Sequence, residues 1–338
     1  NGAAAAVAGT QDALAADREL AVSLVGSYDA LNGLTMTMTD REVTAADGRP
    51  RIELVAAKGM VEEGVSPVRA IRAEPDVSVA LAARLAAHGL AAAAVSVGNT
   101  GASMTAATLE MGLLPGVDRP VAGFPLPFAP QTFLCDLGPN ADVAPQRLVT
   151  FARLGSVYMQ LFADIPHPTV ALLSNGTEPG KGNRQVKAAY PLFERSGLPF
   201  AGAVEPGDLF RGTANVVVVD GFTGNILLKF MESYSTHLEE RLLAAGVAEG
   251  SAEARAVLML LHVLGDATRI PVVGALLGVN GIFLPGHGRS QGADIARLLL
   301  AAARVARSGF LQSMRHALAT TEGQDGALPG GASAGSEG

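Results

Sequence analysis

The 338-residue chain has one cysteine, four lysines and no tryptophan, and its net charge is −7. A single cysteine, Cys135, excludes an internal disulfide framework and favours a reducing cytoplasm. The longest apolar run, AVLMLLHVLG at 256–265, is about half the length that a membrane-spanning helix needs. The negative charge leaves no basic cluster to neutralise phosphates, so we expect no nucleic-acid partner.

The chain also lacks a Gly-x-Gly-x-x-Gly motif after an early strand, which counts against dinucleotide binding. What is present is a repeated unit of apolar strand, Gly/Asn-rich loop and helical segment. The unit recurs at 91–112, 132–162, 169–196, 215–240 and 281–307. Such alternation predicts an α/β fold with a doubly wound, mainly parallel sheet. We expect one α/β domain over 1–318, followed by a disordered Gly/Ser/Ala-rich tail at 319–338.

The stretch TVALLSNGTEPGKGN, from Thr169 to Asn183, combines a strand, a glycine-rich loop and a helix start. Backbone N–H groups of such a loop can close on an anion, and the helix N-terminus adds partial positive charge. Lys181, one of only four lysines, lies in the middle of the loop. The alternative is an ordinary solvated surface lysine, and this stretch alone does not decide between the two.

Four further loops follow predicted strands at 96–102, 136–140, 220–225 and 286–290. Each alone is weak evidence, because Gly/Asn/Asp loops end many strands. The carboxyl ends of parallel strands share one edge of a sheet, and ligands bind there. We therefore expect all five loops to converge on one polar, glycine-lined cleft.

Five motifs in one order resemble the bacterial phosphate acyltransferases of phospholipid synthesis (the PlsX family). They are SVGNTGA at 96–102, FLCDLGPN at 133–140, GTEPGKGN at 176–183, VVVVDGFTGN at 216–225 and GVNGIFLPGHG at 278–288. The resemblance implies transfer of a fatty acyl group from acyl carrier protein to inorganic phosphate, which gives acyl phosphate and needs no metal or redox cofactor. It also implies a fold related to isocitrate and isopropylmalate dehydrogenases, a homodimer, and peripheral association with the inner face of the cell membrane.

This chemistry assigns expected roles to the loops. Lys181 would hold phosphate or stabilise the developing oxyanion, Asn225 would be an amide donor, and His287 would hold phosphate or protonate the departing thiolate. The other residues expected to bind substrate or phosphate are Asn99, Thr100, Gly101, Asn140, Gly180, Gly182, Asn183 and Gly224. Asp136 and Asp220 are expected to orient loops or cap helices rather than act as bases. Cys135 is expected to be a buried, inert thiol.

Residues 226–264 form two helical patterns, the second strongly apolar. The resemblance predicts a helical hairpin for dimer and membrane contact; the alternative is a dimer-core helix alone. Arg241, Arg255 and Arg269 are candidate contacts for an acidic carrier protein.

Two features depart from the resembled pattern. The first strand and the Met-Gly-Gly-Asp loop of the resembled family do not precede the first helical pattern, which suggests a truncated chain or an incomplete site. Residues 73–78, usually basic in the resembled family, contain Glu74 and Asp76.

Two alternative functions remain open. One is a catalytically impaired, membrane-associated scaffold that binds acyl carrier protein. The other is a phosphotransacetylase-like or dehydrogenase-like α/β enzyme.

Overall fold

A computed structural model describes residues 2–31, 51–62, 64–126, 128–244, 251–252, 275–286, 288 and 290–325. Ten strands and ten helices lie wholly within these residues. The strands are β1 (Val22–Ser27), β2 (Ile52–Ala57), β3 (Ala94–Ser96), β4 (Val121–Leu126), β5 (Ala129–Cys135), β6 (Val170–Leu173), β7 (Phe200–Val204), β8 (Val216–Val218), β9 (Ala275–Leu277) and β10 (Phe283–Pro285). The helices are α1 (Gly2–Ala16), α2 (Pro67–Ala73), α3 (Ser78–Ala87), α4 (Thr100–Met111), α5 (Pro145–Phe162), α6 (Arg184–Glu194), α7 (Pro206–Leu209), α8 (Gly221–Ala244), α9 (Gly292–Arg307) and α10 (Phe310–Asp325).

A six-stranded sheet in the order β7-β6-β8-β5-β4-β9 forms the centre of the fold. β7, β6, β8 and β5 pair in parallel, whereas β4 pairs antiparallel with β5 and with β9. The α/β class and the mainly parallel sheet are thereby confirmed. The loops that leave β5, β6 and β8 lie at one edge, because parallel strands end on the same side.

Both faces of this sheet are covered, as a doubly wound fold requires. Alternate residues of a strand point to opposite faces. Thus Leu172 and Val216 join a core cluster that includes residues of α5, α6 and α10, while Leu173 and Val217 join a second cluster that includes residues of α7 and α8. A strand buried on both faces is continuously apolar, which is why β6 and β8 are recognisable in the sequence.

Two smaller parallel sheets lie outside the central one, β1 with β2 and β3 with β10. The prediction that all five loop-bearing strands belong to one sheet is therefore wrong. β9 and β10 are separated by a short connection at 278–282, and no ladder joins them among the described residues. β10 pairs instead with β3, so the ends of β3 and β10 form their own parallel edge.

The acidic stretch between α2 and α3 is part of an ion-pair network at the surface. Arg84 Nε lies 2.9 Å from Glu110 Oε2, and Arg84 Nη1 lies 3.0 Å from Asp76 Oδ1. Lys58 Nζ lies 3.1 Å from Asp76 Oδ2 and 3.4 Å from Glu74 Oε1. The hydrogen bond from Arg84, followed by that from Lys58, lowers the pKa of Asp76. The network ties β2, α3 and α4 together.

α8 confirms the first helical segment predicted within 226–264. The second, apolar segment lies outside the described residues, so the hairpin stays a prediction. At the C-terminus, α10 continues to Asp325, beyond the predicted boundary at 318, because Met314 and Leu318 bury one side of it in the core. Residues 326–338 lie outside the described part. None of the helices in the described ranges is long and apolar enough to cross a membrane.

Candidate functional site

The N-terminus of α8 follows β8, and neighbouring residues of the chain accept hydrogen bonds from its first turn. Asp220 accepts hydrogen bonds from the Thr223 backbone N–H at Oδ1 and from the Thr223 hydroxyl at Oδ2, both at 2.9 Å. The Gly221 N–H donates to the Asn140 carbonyl over 2.8 Å. The Asp220 carboxylate occupies the Thr223 donor and places a negative charge at this terminus, so the terminus is unsuited to phosphate. The capping role predicted for Asp220 is confirmed.

Asp136, directly after β5, is a buried carboxylate that accepts four hydrogen bonds. Oδ1 accepts from the N–H groups of Ala122 and Gly138 at 3.2 and 3.3 Å. Oδ2 accepts from the backbone N–H and the side-chain Nδ2 of Asn140, both at 2.8 Å. The side chain has no solvent exposure. Desolvation raises its pKa to about 6 against the opposing effect of these hydrogen bonds. Its predicted role of orienting a loop is confirmed.

The first turn of α8 rests directly on the 136–140 loop. A Cβ at Gly224 would overlap the carbonyl oxygen of Asp136, and a Cβ at Gly221 would lie 2.8 Å from Asp136 Oδ2. Only glycine permits this approach. The Asn225 side chain is brought against Gly138: its Oδ1 lies 3.8 Å from the position of a Cβ there. Asn225 itself is exposed at the strand-end edge.

These contacts change two predicted roles. The Asn140 amide is 2% exposed, and Nδ2 donates to the Pro120 carbonyl at 2.7 Å and to Asp136. Both of its protons are engaged, so Asn140 orders the loop and has no donor left for phosphate. The Gly224 N–H donates within α8 to the Asp220 carbonyl at 2.9 Å, so Gly224 serves close packing instead of phosphate binding.

The Lys181 loop, which leaves the neighbouring strand β6, is open to solvent. The Gly182 N–H donates to Asn175 Oδ1 over 3.0 Å, and the Lys181 N–H donates to the Glu178 carbonyl over 3.1 Å. Gly180 and Gly182 have φ values of 92° and 91°, which favour glycine. Lys181 is exposed, and in the described part of the chain no carboxylate pairs with its ammonium group.

The N-terminus of α6 is the open counterpart of the α8 terminus. Asn183 caps it, accepting from the Val186 N–H at 2.8 Å, and the first intrahelical bond runs from Lys187 N to Asn183 O at 3.1 Å. The N–H groups of Arg184 and Gln185 therefore precede the helical ladder. The cap is neutral and the nearby side chain is a cation, an arrangement that suits an anion.

Ser174, at the end of β6, is a polar residue of this site that the sequence reading did not assign. It is 9% exposed, and its hydroxyl has no hydrogen-bond partner. The oxygen lies 2.9 Å from the position of a Cβ on Gly182. A serine that ends an apolar strand is the only signal in the sequence, and such residues are common.

The loop after β3 forms a second open helix terminus. Asn99 caps α4, accepting from the Ala102 N–H at 3.0 Å, and leaves the N–H groups of Thr100 and Gly101 before the ladder. The Gly286 N–H donates to the Ser96 carbonyl over 2.7 Å, so the loop after β10 lies beside it. His287 lies outside the described residues, and its role stays a prediction.

The loops are thus joined in two groups. In one, the 136–140 and 220–225 loops pack together, and Gln185 Nε2 donates to the Val143 carbonyl at 2.6 Å and ties α6 to the segment that follows 136–140. The other contains the loops after β3 and β10. No hydrogen bond links the two groups within the described ranges, so the single cleft stays a prediction.

One further titratable group near the site is Cys135, the last residue of β5. Cys135 is fully buried, its Sγ lies 3.9 Å from the Phe151 carbonyl oxygen, and desolvation raises the pKa of its thiol. The expectation of an inert thiol is confirmed, because the thiolate is the reactive form. No group of three or more His, Cys, Asp or Glu side chains that could hold a metal ion occurs among the residues that the structure describes.

Comparisons with known proteins identify the family of the chain. Residues 1–313 match the family model described as "Fatty acid synthesis protein". The chain is 37% identical over 304 residues to the phosphate acyltransferase of Heliobacterium modesticaldum, covering 88% of each chain. It is 40% identical over 282 residues to that of Pseudomonas putida strain GB-1, covering 81% of this chain and 82% of the relative.

Two solved structures share the fold. The EutD phosphotransacetylase of Staphylococcus aureus aligns with a TM-score of 0.50 at 17% identity, over 89% of this chain and 90% of the other. A phosphotransacetylase of Streptococcus pyogenes aligns with a TM-score of 0.51 at 18% identity, over 84% of each chain. The chain belongs to the fatty acid synthesis protein family, and its relatives at 37–40% identity are named phosphate acyltransferases.

Proposed function

We propose that the protein transfers a fatty acyl group from acyl carrier protein to inorganic phosphate and so forms acyl phosphate for phospholipid synthesis. The observation that carries the proposal is the pairing of Lys181 with the open, neutrally capped N-terminus of α6 at the carboxyl edge of the sheet. The names of the 37–40% identical relatives support the same reaction.

Phosphate binding is the first task of this site. The ammonium group of Lys181 and the N–H groups of Arg184 and Gln185 supply positive charge and donors. A phosphate oxygen attacks the carbonyl carbon of the acyl thioester, and the carbonyl electrons move onto its oxygen. Holding the nucleophile within reach of that carbon lowers the barrier, because it replaces a bimolecular encounter.

Stabilisation of the tetrahedral oxyanion is the second task. The exposed amide of Asn225 is the proposed donor on one side, and Asn99 with the N–H groups of Thr100 and Gly101 on the other. Collapse of the intermediate re-forms the carbonyl and breaks the carbon–sulfur bond. The thiolate leaves with the electron pair and takes up a proton, for which His287 is the proposed source.

Assembly and location form a further part of the proposal. Phe222 and Ile226, one helical turn apart on α8, are 61% and 52% exposed, which supports an apolar contact with a second copy of the chain. The 226–264 hairpin would join the homodimer and touch the inner face of the cell membrane, and Arg241 would meet the carrier protein. The proposed unit is a single α/β domain of isocitrate/isopropylmalate dehydrogenase-like fold, whose C-terminal helix α10 ends at Asp325.

The test is a direct product assay with the donor varied. The protein is incubated with long-chain acyl carrier protein and inorganic phosphate, and acyl phosphate is trapped with hydroxylamine. Product that requires both phosphate and the carrier thioester supports the proposal. Product only from a short-chain acyl-coenzyme A thioester would favour the phosphotransacetylase-like alternative. Carrier binding without product from any donor would favour the scaffold.

A further inference from the structure

A buried carboxylate adjoins the site although the proposed chemistry does not use it. Asp136 has no exposed surface, so it cannot touch a substrate. Burying an ionisable group costs free energy unless its hydrogen bonds compensate for the lost hydration. Asp136 nevertheless lies directly beneath the first turn of α8, which bears Asn225.

Two routes of contact connect Asp136 to Asn225. In the first, Oδ1 accepts from the Gly138 N–H, and the amide of Asn225 lies against Gly138. In the second, Oδ2 accepts twice from Asn140, whose carbonyl accepts from the Gly221 N–H at the start of α8. The packing of Gly224 on the Asp136 carbonyl fixes the distance between helix and loop.

We propose that Asp136 is a positioning residue, whose carboxylate orders the 136–140 loop and thereby sets where Asn225 presents its amide to the reacting carbonyl. The inference rests on the proposed function, in which Asn225 stabilises the oxyanion. It gives the buried carboxylate a role in the rate of the reaction without any contact with substrate.

The chemical form of the side chain matters to this role. All four partners of the Asp136 oxygens are N–H donors, so an acceptor-only carboxylate satisfies every one of them. An amide of the same size has one acceptor oxygen, and its NH₂ group would face two donors. Asp136→Asn therefore keeps the volume of the side chain but loses two of the four hydrogen bonds. The lost pair is either the one to Asn140 or the one to Ala122 and Gly138.

The first experiment is steady-state kinetics of Asp136→Asn. An oxyanion donor acts in the transition state, so its displacement lowers kcat about 10- to 100-fold and leaves KM for phosphate unchanged within about twofold. Asp208→Asn makes the same chemical change in α7, where the carboxylate accepts from the Glu205 N–H and from Arg211, and keeps wild-type kinetics. A kcat of Asp136→Asn equal to that of the wild type would overturn the inference.

A double-mutant cycle separates positioning from a general structural effect. If Asp136 acts through Asn225, adding Asp136→Asn to Asn225→Ala costs little further activity, because the positioned group is already gone. If Asp136 acts independently, the two losses multiply. Multiplying losses would contradict the proposal even when each single variant is impaired.

A measurement without turnover keeps this inference distinct from the proposed function. Backbone amide exchange of residues 221–225 is expected to accelerate in Asp136→Asn, with that of β6 and β7 unchanged. Gly221→Ala keeps the carboxylate but crowds Asp136 and Asn140, and is expected to show the same acceleration and a lower kcat. It also replaces Asp136→Asn in the kinetic test if that variant does not fold. Wild-type protein that forms no acyl phosphate would refute the function, whereas unchanged exchange at 221–225 would refute the positioning role.

Discussion

The N-termini of α6 and α8 follow neighbouring parallel strands at the same edge of the sheet, yet they differ in the charge of the cap and in the exposure of the first turn. At α6 the cap is the neutral Asn183, the first N–H groups are open and Lys181 stands exposed beside them. At α8 the cap is the carboxylate of Asp220, and the first turn is packed on a second, buried carboxylate. Equivalent positions in the topology therefore do not have equivalent chemistry.

The difference shows how one sheet edge can serve both substrate and catalyst. An open helix terminus attracts a mobile anion, whereas a terminus closed by its own carboxylate is a rigid support for a side chain. On this view α6 supplies the phosphate site and α8 supplies a fixed amide, Asn225. Substitutions at each terminus test this division.

Removing the cation at the open terminus is expected to have the largest effect. Lys181→Ala should lower kcat/KM for phosphate about 100- to 1,000-fold, as loss of a donor to a developing charge does in other enzymes. Lys187→Ala removes an exposed lysine one turn further along α6 and serves as the matched control. Equal activity of the two variants would show that Lys181 is an ordinary surface lysine.

The buried carboxylate below the closed terminus is expected to make stability depend on pH. The pKa of Asp136 is raised to about 6 in the fold, so between about pH 4 and 6 the folded state holds a proton that the unfolded state has lost. Its contribution to the free energy of unfolding is largest below about pH 4 and falls by about 3 kcal/mol as pH rises through 6.

Asp136→Asn cannot titrate at this position. The difference in free energy of unfolding between wild type and variant, from urea titrations at several pH values, should therefore shrink as pH rises from about 4.5 to 7. A difference that grows over this interval would mean that the folded carboxyl has a lowered pKa.

A carboxylate introduced in the first turn should affect phosphate binding at α6 and not at α8. Arg184→Glu places a negative charge in the first turn of α6, where it competes with phosphate, and KM for phosphate should rise about tenfold, or about 1.4 kcal/mol. Phe222→Glu adds one carboxylate to the first turn of α8 and, in protein whose oligomeric state matches that of the wild type, should leave KM for phosphate unchanged. A rise in both variants would show that both termini attract the anion.

The smallest expected effect concerns the neutral cap itself. Asn183→Ala removes the acceptor for the Val186 N–H and should lower the free energy of unfolding by about 1 kcal/mol. Asn183→Ser retains a capping oxygen, so thermal or urea unfolding should place it within a few tenths of a kcal/mol of the wild type. Equal losses in both variants would show that the cap does not stabilise α6.

Local sequence patterns were sufficient to predict the strands that bear the central loops. β6 and β8 are short, β-branched and followed by glycine-rich turns, so periodicity identified both. β4 was not predicted, because Pro125 interrupts it and it pairs antiparallel beside the parallel strands. The separation of β3 and β10 from the main sheet was also missed, since strand partners are set by tertiary packing and not by local composition.

The candidate site was predictable to a similar extent. The loop around Lys181 and the positions of Asn99 and Asn183 at helix starts could be found from sequence. Both asparagines were expected to bind phosphate, and the structure shows their side chains capping α4 and α6. The inward orientation of Asn140 could not be found, since its partners Pro120 and Asp136 are defined only by the fold. The unpartnered hydroxyl of Ser174 could not be predicted either, because its surroundings are also defined only by the fold.

The ion-pair network around Arg84 has a consequence for the electrostatic potential of the surface. In the sequence, residues 73–78 form a negative patch with Glu74 and Asp76, and such a patch would repel an acidic carrier protein. In the fold the carboxylates of Glu74 and Asp76 lie within 3.4 Å of the Lys58 ammonium group or the Arg84 guanidinium. The two cations and the three carboxylates of the network, Glu110 included, leave one net negative charge, and salt screens it beyond a Debye length of ~8 Å. An approaching protein would therefore meet a weakly negative surface at this corner of the molecule.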